Sequence, residues 1–228
     1  MRAEKYVHTR DNIIKVRIND KQKEIEKVTC KDVYWEYVKK IRMTPTAQSK
    51  WSKYVNTEDI VWKDHYVIPY VVCKETALQS FQYKILNRFY PCQYTLSLWY
   101  KDQQSNCIDC NDIDHLEHHF YECNHVYRFW TAVENWWKIT LQMSIPLNAK
   151  HVLFGMPNPN EDKIIDVLNL CILYGKWYIS ECKKNNTQLF LPNYIRMVKG
   201  KLTTEKTLSC IQGDESFEKR WLDFYEQL

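Results

Sequence analysis

The sequence predicts a mainly α-helical protein with a small N-terminal β-hairpin and a central zinc knuckle, and three observations carry that expectation. Apolar residues recur at three- and four-residue spacing through most of the chain. The 16 Tyr, 9 Trp and 8 Phe stand against only 4 Gly and 7 Pro, a balance suited to packed helices rather than to a turn-rich sandwich or a glycine-dependent phosphate cradle. Three of the nine cysteines cluster between Cys107 and Cys123 with histidines among them. With 228 residues, 45% of them hydrophobic and 26% charged, the chain can form one medium-sized core or two small ones.

Taken in order, residues 12–18 alternate, with Ile14, Val16 and Ile18 on one side and Lys15 and Arg17 on the other. Asn19-Asp20 offers the turn of a hairpin. Thr29 can cap a helix through about Arg42, whose Val33, Tyr34, Tyr37, Val38 and Ile41 share helical spacing, and Thr44-Pro45-Thr46 stops it. A short Trp51 to Tyr54 segment and an irregular stretch around Pro69 come next. Residues 75–90 then place Leu78, Phe81, Ile85 and Phe89 on one helical face, closed by Pro91.

From Leu116 to Thr140 a helical pattern carries Phe120, Phe129, Trp130, Val133, Trp136 and Trp137. Such rings can stack on bases, but core packing is the commoner use of an aromatic stripe, and it is the expectation here. A connection from Pro146 to Pro159 holds the apolar run His151 to Gly155. It leads into a long helix from about Glu161 to Lys184, where Leu168, Cys171, Ile172 and Ile179 pack together and Gly175 allows another helix to approach. Helical segments near 188–206 and 216–227 complete the chain. Three regions result: residues 1–45, hairpin plus helix with a basic surplus; residues 46–140, a helical region with the knuckle at about 105–125; and residues 141–228, a C-terminal helical region.

No stretch approaches the ~20 apolar residues of a bilayer-spanning helix, and Met1 to Tyr6 lacks the apolar core of a signal peptide. An intracellular protein, cytoplasmic or nuclear, with no membrane partner is expected. Nine cysteines, an odd and mostly scattered set, suit free thiols and a metal better than bridges. The net charge of +4 is modest, so its distribution matters more. Lys and Arg outnumber Asp and Glu by 13 to 7 in residues 1–50 but are outnumbered 4 to 7 in residues 101–160, leaving the N-terminus basic and the cysteine cluster acidic.

The cluster reads Cys107-x₂-Cys110-x₇-His118-x₄-Cys123. Zinc takes four thiolate or imidazole ligands in a tetrahedron; a close Cys pair wraps the ion from a turn, and His118 and Cys123 can approach from the start of a helix. Chance clustering, a disulfide or a redox Cys-x-x-Cys pair are the rivals, and His115, His119 and His125 compete with His118, His119 most closely. Four good ligands close the site to water. Glu117 and Glu122 flank it, yet the deaminase pattern of His-x-Glu followed by Pro-Cys-x-x-Cys is missing, so one structural zinc and no catalytic residue are expected.

Zinc with three thiolates and a neutral imidazole is formally anionic, and Asp102, Asp109, Asp112, Asp114, Glu117 and Glu122 surround it in sequence. Such a finger does not track phosphates unaided, because backbone contact depends on Lys and Arg displacing counterions. Lys84, Arg88, Lys101, Arg128 and the N-terminal basic segment are the candidate nucleic-acid contacts. For Lys84 and Arg88, a turn apart, a solvated helix face is the simpler reading.

The chain resembles the C-terminal region of LINE-type non-LTR retrotransposon proteins, including their reverse-transcriptase zinc-binding domain. The resemblance rests on Leu78 to Arg88, Pro91-Cys92, the zinc cluster, His125 to Trp130, Trp136-Trp137 and Ile172 to Ile179, and it covers most of residues 10–228. It implies a region following the polymerase that helps hold template RNA or target DNA during target-primed reverse transcription. The family motif maps onto Cys107, Cys110, His118 and Cys123, though some members space the first pair one residue wider. A Tyr/Phe-x-Asp-Asp polymerase motif is absent and the length leaves no room for an endonuclease. The expectation is therefore a non-catalytic module, a piece of a longer element, with the element's RNA or DNA and its polymerase region as partners. The rival is a structural module that docks on a polymerase core without touching nucleic acid.

Overall fold

The computed structural model describes residues 15–18 and 21–228. It is mainly helical, and its described residues fall into two compact units, Met1–Pro45 and Thr46–Leu228.

In the first unit, strands β1 (Lys15–Ile18) and β2 (Lys21–Glu24) pair antiparallel, with Val16 opposite Lys23 and Ile18 opposite Lys21. The alternation is visible in β1, where Ile18 is buried while Lys15 and Arg17 are exposed. Residues 12–14 and the Asn19-Asp20 turn lie outside the described residues. Helix α1 (Cys30–Ile41) begins at a capping box: the Asp32 amide donates to Thr29 Oγ1 at 3.2 Å, and the Thr29 amide donates to Asp32 Oδ2 at 2.8 Å. Val33, Tyr34, Tyr37 and Ile41 of α1 are exposed.

The second unit contains α2 (Thr46–Trp51), α3 (Trp62–Val72), α4 (Thr76–Leu86), α5 (Gln93–Trp99), a π-helical turn (His118–Glu122), α6 (Asn124–Thr140), α7 (Ala149–Phe154), α8 (Lys163–Asn185), α9 (Leu191–Gln212) and α10 (Ser216–Glu226). Helix α8 is the spine, buried from Val167 through Tyr174 and packed on α3, α4, α7, α9 and α10. Gly175 lies under Trp130 of α6, where an added Cβ would stand 2.4 Å from the indole, so the close approach of two helices requires this glycine. Phe120, Phe129, Trp130, Val133 and Trp137 are buried, and the aromatic stripe is core. Trp130 donates to the carbonyl of Phe120 at 2.8 Å, tying α6 to the π-turn.

Three local expectations are corrected. The stretch around Pro69 is helical, because burial of the His65, Pro69 and Val72 face of α3 outweighs the hydrogen bond and clearance lost at proline, about 3 kcal/mol. The apolar run in the Pro146 to Pro159 connection forms α7, started by Asn148, whose Oδ1 accepts from the His151 amide at 2.9 Å. Helix α4 stops at Leu86 rather than running to residue 90. The Phe89 amide reaches back to the Lys84 carbonyl at 2.7 Å and the Arg88 amide to Ile85 at 2.9 Å, a Schellman ending that puts Arg88 at φ 58° and leaves Phe89 exposed. Among the described residues no helix is long and apolar enough to cross a membrane.

Candidate metal centre

The centre is built from one turn and one helix start. Around the first pair, the Cys107 amide donates to the Asp112 carbonyl at 2.6 Å and the Asn111 amide returns to the Cys107 carbonyl at 2.9 Å. Asn111 takes a left-handed conformation, φ 65°, which an asparagine tolerates better than most residues. This tight reversal turns the Cys107 and Cys110 sulfurs towards one point.

The second pair depends on the π-turn. In an α-helix, residues five apart point about 140° away from each other. The Cys123 amide instead bonds the His118 carbonyl at 3.2 Å, an i to i+5 closure that brings the two positions towards one side. Cys123 then leaves helical geometry, at ψ 128°, and becomes the residue from which α6 starts. The continuous helix expected from Leu116 to Thr140 is thus interrupted at Cys123, one of the four candidate ligands.

The ligand atoms of Cys107, Cys110, His118 and Cys123 all lie within 4.8 Å of one another, a cluster able to hold a metal ion. Cys123 Sγ is 3.9 Å from both other sulfurs, and His118 Nε2 is 3.2 Å from Cys110 Sγ. A tetrahedron with metal–sulfur bonds of about 2.3 Å has sulfur–sulfur edges of about 3.8 Å, so the donor set fits a zinc-sized ion. Cys107 is held below the usual thiol range by its hydrogen bond with Cys123, against the effect of burial, while Cys123 is pushed up by that same pairing and Cys110 by burial. Three sulfurs this close cannot all ionise against one another; a divalent cation among them removes the conflict.

The competing histidines sit elsewhere. His119 is buried against the rings of Tyr90 and Phe120, its Nδ1 2.8 Å from Asp114 Oδ2 and its Nε2 without a partner among the described residues. Burial favours its neutral form, so Nδ1–H donates to Asp114 as a hydrogen bond rather than an ion pair. His115 leans on Glu117, with Nδ1 3.2 Å from Oε2, and His125 is exposed on α6.

Two acidic residues of the cluster are internal and matched. Asp114 also accepts from the Gln93 amide at 3.0 Å and from Lys183 Nζ at 3.1 Å. Burial by itself would raise the Asp114 carboxyl, yet these partners hold it well below the usual range. Glu117 accepts from both terminal guanidinium nitrogens of Arg88. The outward charge of the finger is left to Asp102, Asp109, Asp112 and Glu122, all exposed.

Of the expected nucleic-acid contacts, Lys84, Lys101 and Arg128 are exposed, Arg128 lining a surface groove with Ile108, Asp109 and His125. Arg88 is not on a solvated face: its guanidinium lies 4.3 Å from the Trp51 ring centroid and 4.7 Å from that of Tyr54, and it is engaged by Glu117. Asp114 counted only as one more acid in the sequence, and Lys183 lies so far along the chain from Cys107 that no local pattern pairs them. No family model matches the chain, and no curated protein matches it.

Proposed function

We propose that Cys107, Cys110, His118 and Cys123 hold one structural zinc ion, and that the chain is a non-catalytic, nucleic-acid-associated module of a LINE-type reverse transcriptase, helping to hold template RNA or target DNA. The observation that carries the zinc is the convergence of four soft or borderline ligand atoms within 4.8 Å. When bound, the ion supplies a cross-link between the Cys107 turn and the start of α6 and has no position left for water. Glu117 is buried and committed to Arg88 through both oxygens, which supports a structural rather than a hydrolytic site.

Nucleic-acid association rests on the resemblance and on where cations and rings are exposed. In the first unit Lys15, Arg17, Lys21, Lys31, Lys40 and Arg42 are exposed, as are Tyr34, Trp35 and Tyr37. Cations that neutralise phosphates together with rings that stack on bases are the two needs of a single-strand binder. The second reading, docking on a polymerase core, draws on the same helix, because Val33, Tyr37 and Ile41 form an exposed apolar stripe on α1.

The experiment is metal analysis of the reduced chain by native mass spectrometry, followed by RNA titration at two salt concentrations. One zinc per chain and an affinity that falls with salt, weakened further by Lys21→Glu with Lys31→Glu or by Lys84→Glu with Arg128→Glu, is the expected result. One zinc with no salt-sensitive binding favours docking. A metal-free chain overturns the zinc assignment.

A further inference from the structure

Lys183, in the last turn of α8, reaches the metal cluster from outside. Its Nζ lies 3.3 Å from Cys107 Sγ and 3.1 Å from Asp114 Oδ1, and its side chain is only 8% exposed. Cys107 is itself 3% exposed, the deeper member of the first pair, whereas Cys110 is half-buried.

We propose that Lys183 is an outer-sphere positioning residue of the metal centre, its ammonium donating to the Cys107 thiolate while Asp114 fixes its direction. The proposal rests on the zinc assignment above and names the residue that lets so much negative charge gather in a buried place. Two positive charges on zinc against three thiolates leave minus one, and Asp114 makes minus two; Lys183 returns the group to minus one. A buried charge without a partner is strongly unfavourable, and Lys183 touches both the sulfur and the carboxylate.

The arrangement has direction. Asp114 spends Oδ2 on His119 and the Gln93 amide, which leaves Oδ1 for Lys183 and holds the ammonium against sulfur rather than solvent. Groups that orient a metal ligand in this way are worth about 10- to 100-fold in metal affinity when removed. A hydrogen bond to sulfur also draws electron density from it, so its loss raises the energy of the Cys107 lone pairs. The thiolate loses its orientation and its charge partner at the same time, and that loss sets the sign of the affinity change. The same contact ties α8, the spine of the second unit, to the knuckle.

The test uses the full chain with zinc and with cobalt(II) as a coloured substitute. Lys183→Met is expected to bind zinc 10- to 100-fold more weakly in competition with a chromophoric chelator. Its sulfur-to-cobalt charge-transfer band should move to lower energy, a change that mere loosening of packing does not produce. Lys183→Arg, which keeps charge and donor, should restore most of both, and Lys184→Met, exposed one residue away, should change neither. If Lys183→Met does not fold, Lys183→Gln is judged on the same two readouts. A variant that folds, binds metal as tightly as the parent and leaves the band in place overturns the proposal. Failure of the parent chain to bind either metal instead overturns the zinc assignment on which it stands.

Discussion

Arg88 and Glu117 form an ion pair inside the second unit, with side chains 16% and 2% exposed, and the guanidinium is sandwiched between Trp51 and Tyr54. Glu117 immediately precedes the proposed metal ligand His118, so the pair anchors the π-turn to the end of α4. Removing one partner of a buried pair leaves the other charge unmatched and costs about 3–5 kcal/mol. Arg88→Ala should therefore lose most of that amount in urea denaturation. Arg88→Met combined with Glu117→Gln should recover part of it, because no bare charge remains. A loss below about 1 kcal/mol for Arg88→Ala, the scale of a surface pair, would refute the assignment of this arginine to the interior.

The two histidines that sequence spacing could not separate make a paired prediction. With His118 as the proposed fourth ligand, His118→Gln should abolish tight zinc binding. His119→Gln keeps a donor for Asp114 and should retain one zinc per chain while lowering the melting temperature, since the imidazole fills a buried slot beside Tyr90 and Phe120. Native mass spectrometry of both variants, read with a thermal melt, decides the matter. Zinc retained in His118→Gln and lost in His119→Gln would reverse the ligand assignment.

Gly175 and Gly200 lie inside helices with opposite surroundings. A Cβ at Gly175 meets two Trp130 ring atoms at 2.4 and 2.8 Å, whereas nothing lies within 4 Å of one at Gly200. Gly175→Ala should destabilise by about 1–3 kcal/mol through overpacking. Gly200→Ala should stabilise by about 0.5–1 kcal/mol through helix propensity alone. Chemical denaturation of both variants gives opposite signs if α6 and α8 cross as described.

Much of this architecture is legible in the sequence because it is local. Periodicity marks α1, α4, α6 and α8, Thr29 is readable as a helix cap, and the Cys-x₂-Cys spacing announces a turn that can hold an ion. What escaped depends on tertiary contact. Pro69 stays helical only because α3 is packed on α8, and Arg88 can take the position after a helix end that usually belongs to glycine because Glu117, Trp51 and Tyr54 hold it there. The break at Cys123 comes with the i to i+5 closure on His118, which the apolar pattern does not mark. Lys183 meets Cys107 through the fold alone, and a lysine pair at a helix end reads in sequence as a solvated terminus.

Lys176 is a lysine in the core with no carboxylate partner among the described residues. It is 1% exposed on α8, its Nζ 2.5 Å from Gln82 Oε1 and 3.4 Å from the Leu153 carbonyl, and burial brings its pKa down to about 7. The unfolded chain takes up this proton near pH 10.5, the folded chain only near 7. Between those values the unfolded state binds more protons, so this group makes stability rise with pH, by up to about 1.4 kcal/mol per pH unit. Below pH 7 both states are protonated and the full penalty of the buried ammonium is present; above 10.5 it is gone. Buried thiols and phenols such as Cys73 and Tyr90, which burial pushes up, act in the opposite direction at alkaline pH, so the comparison must be with Lys176→Met, in which they are unchanged. The difference in unfolding free energy, parent minus variant, should climb between pH 7 and 10 as followed by urea denaturation. A difference independent of pH across that range would mean that Lys176 stays charged in the folded protein.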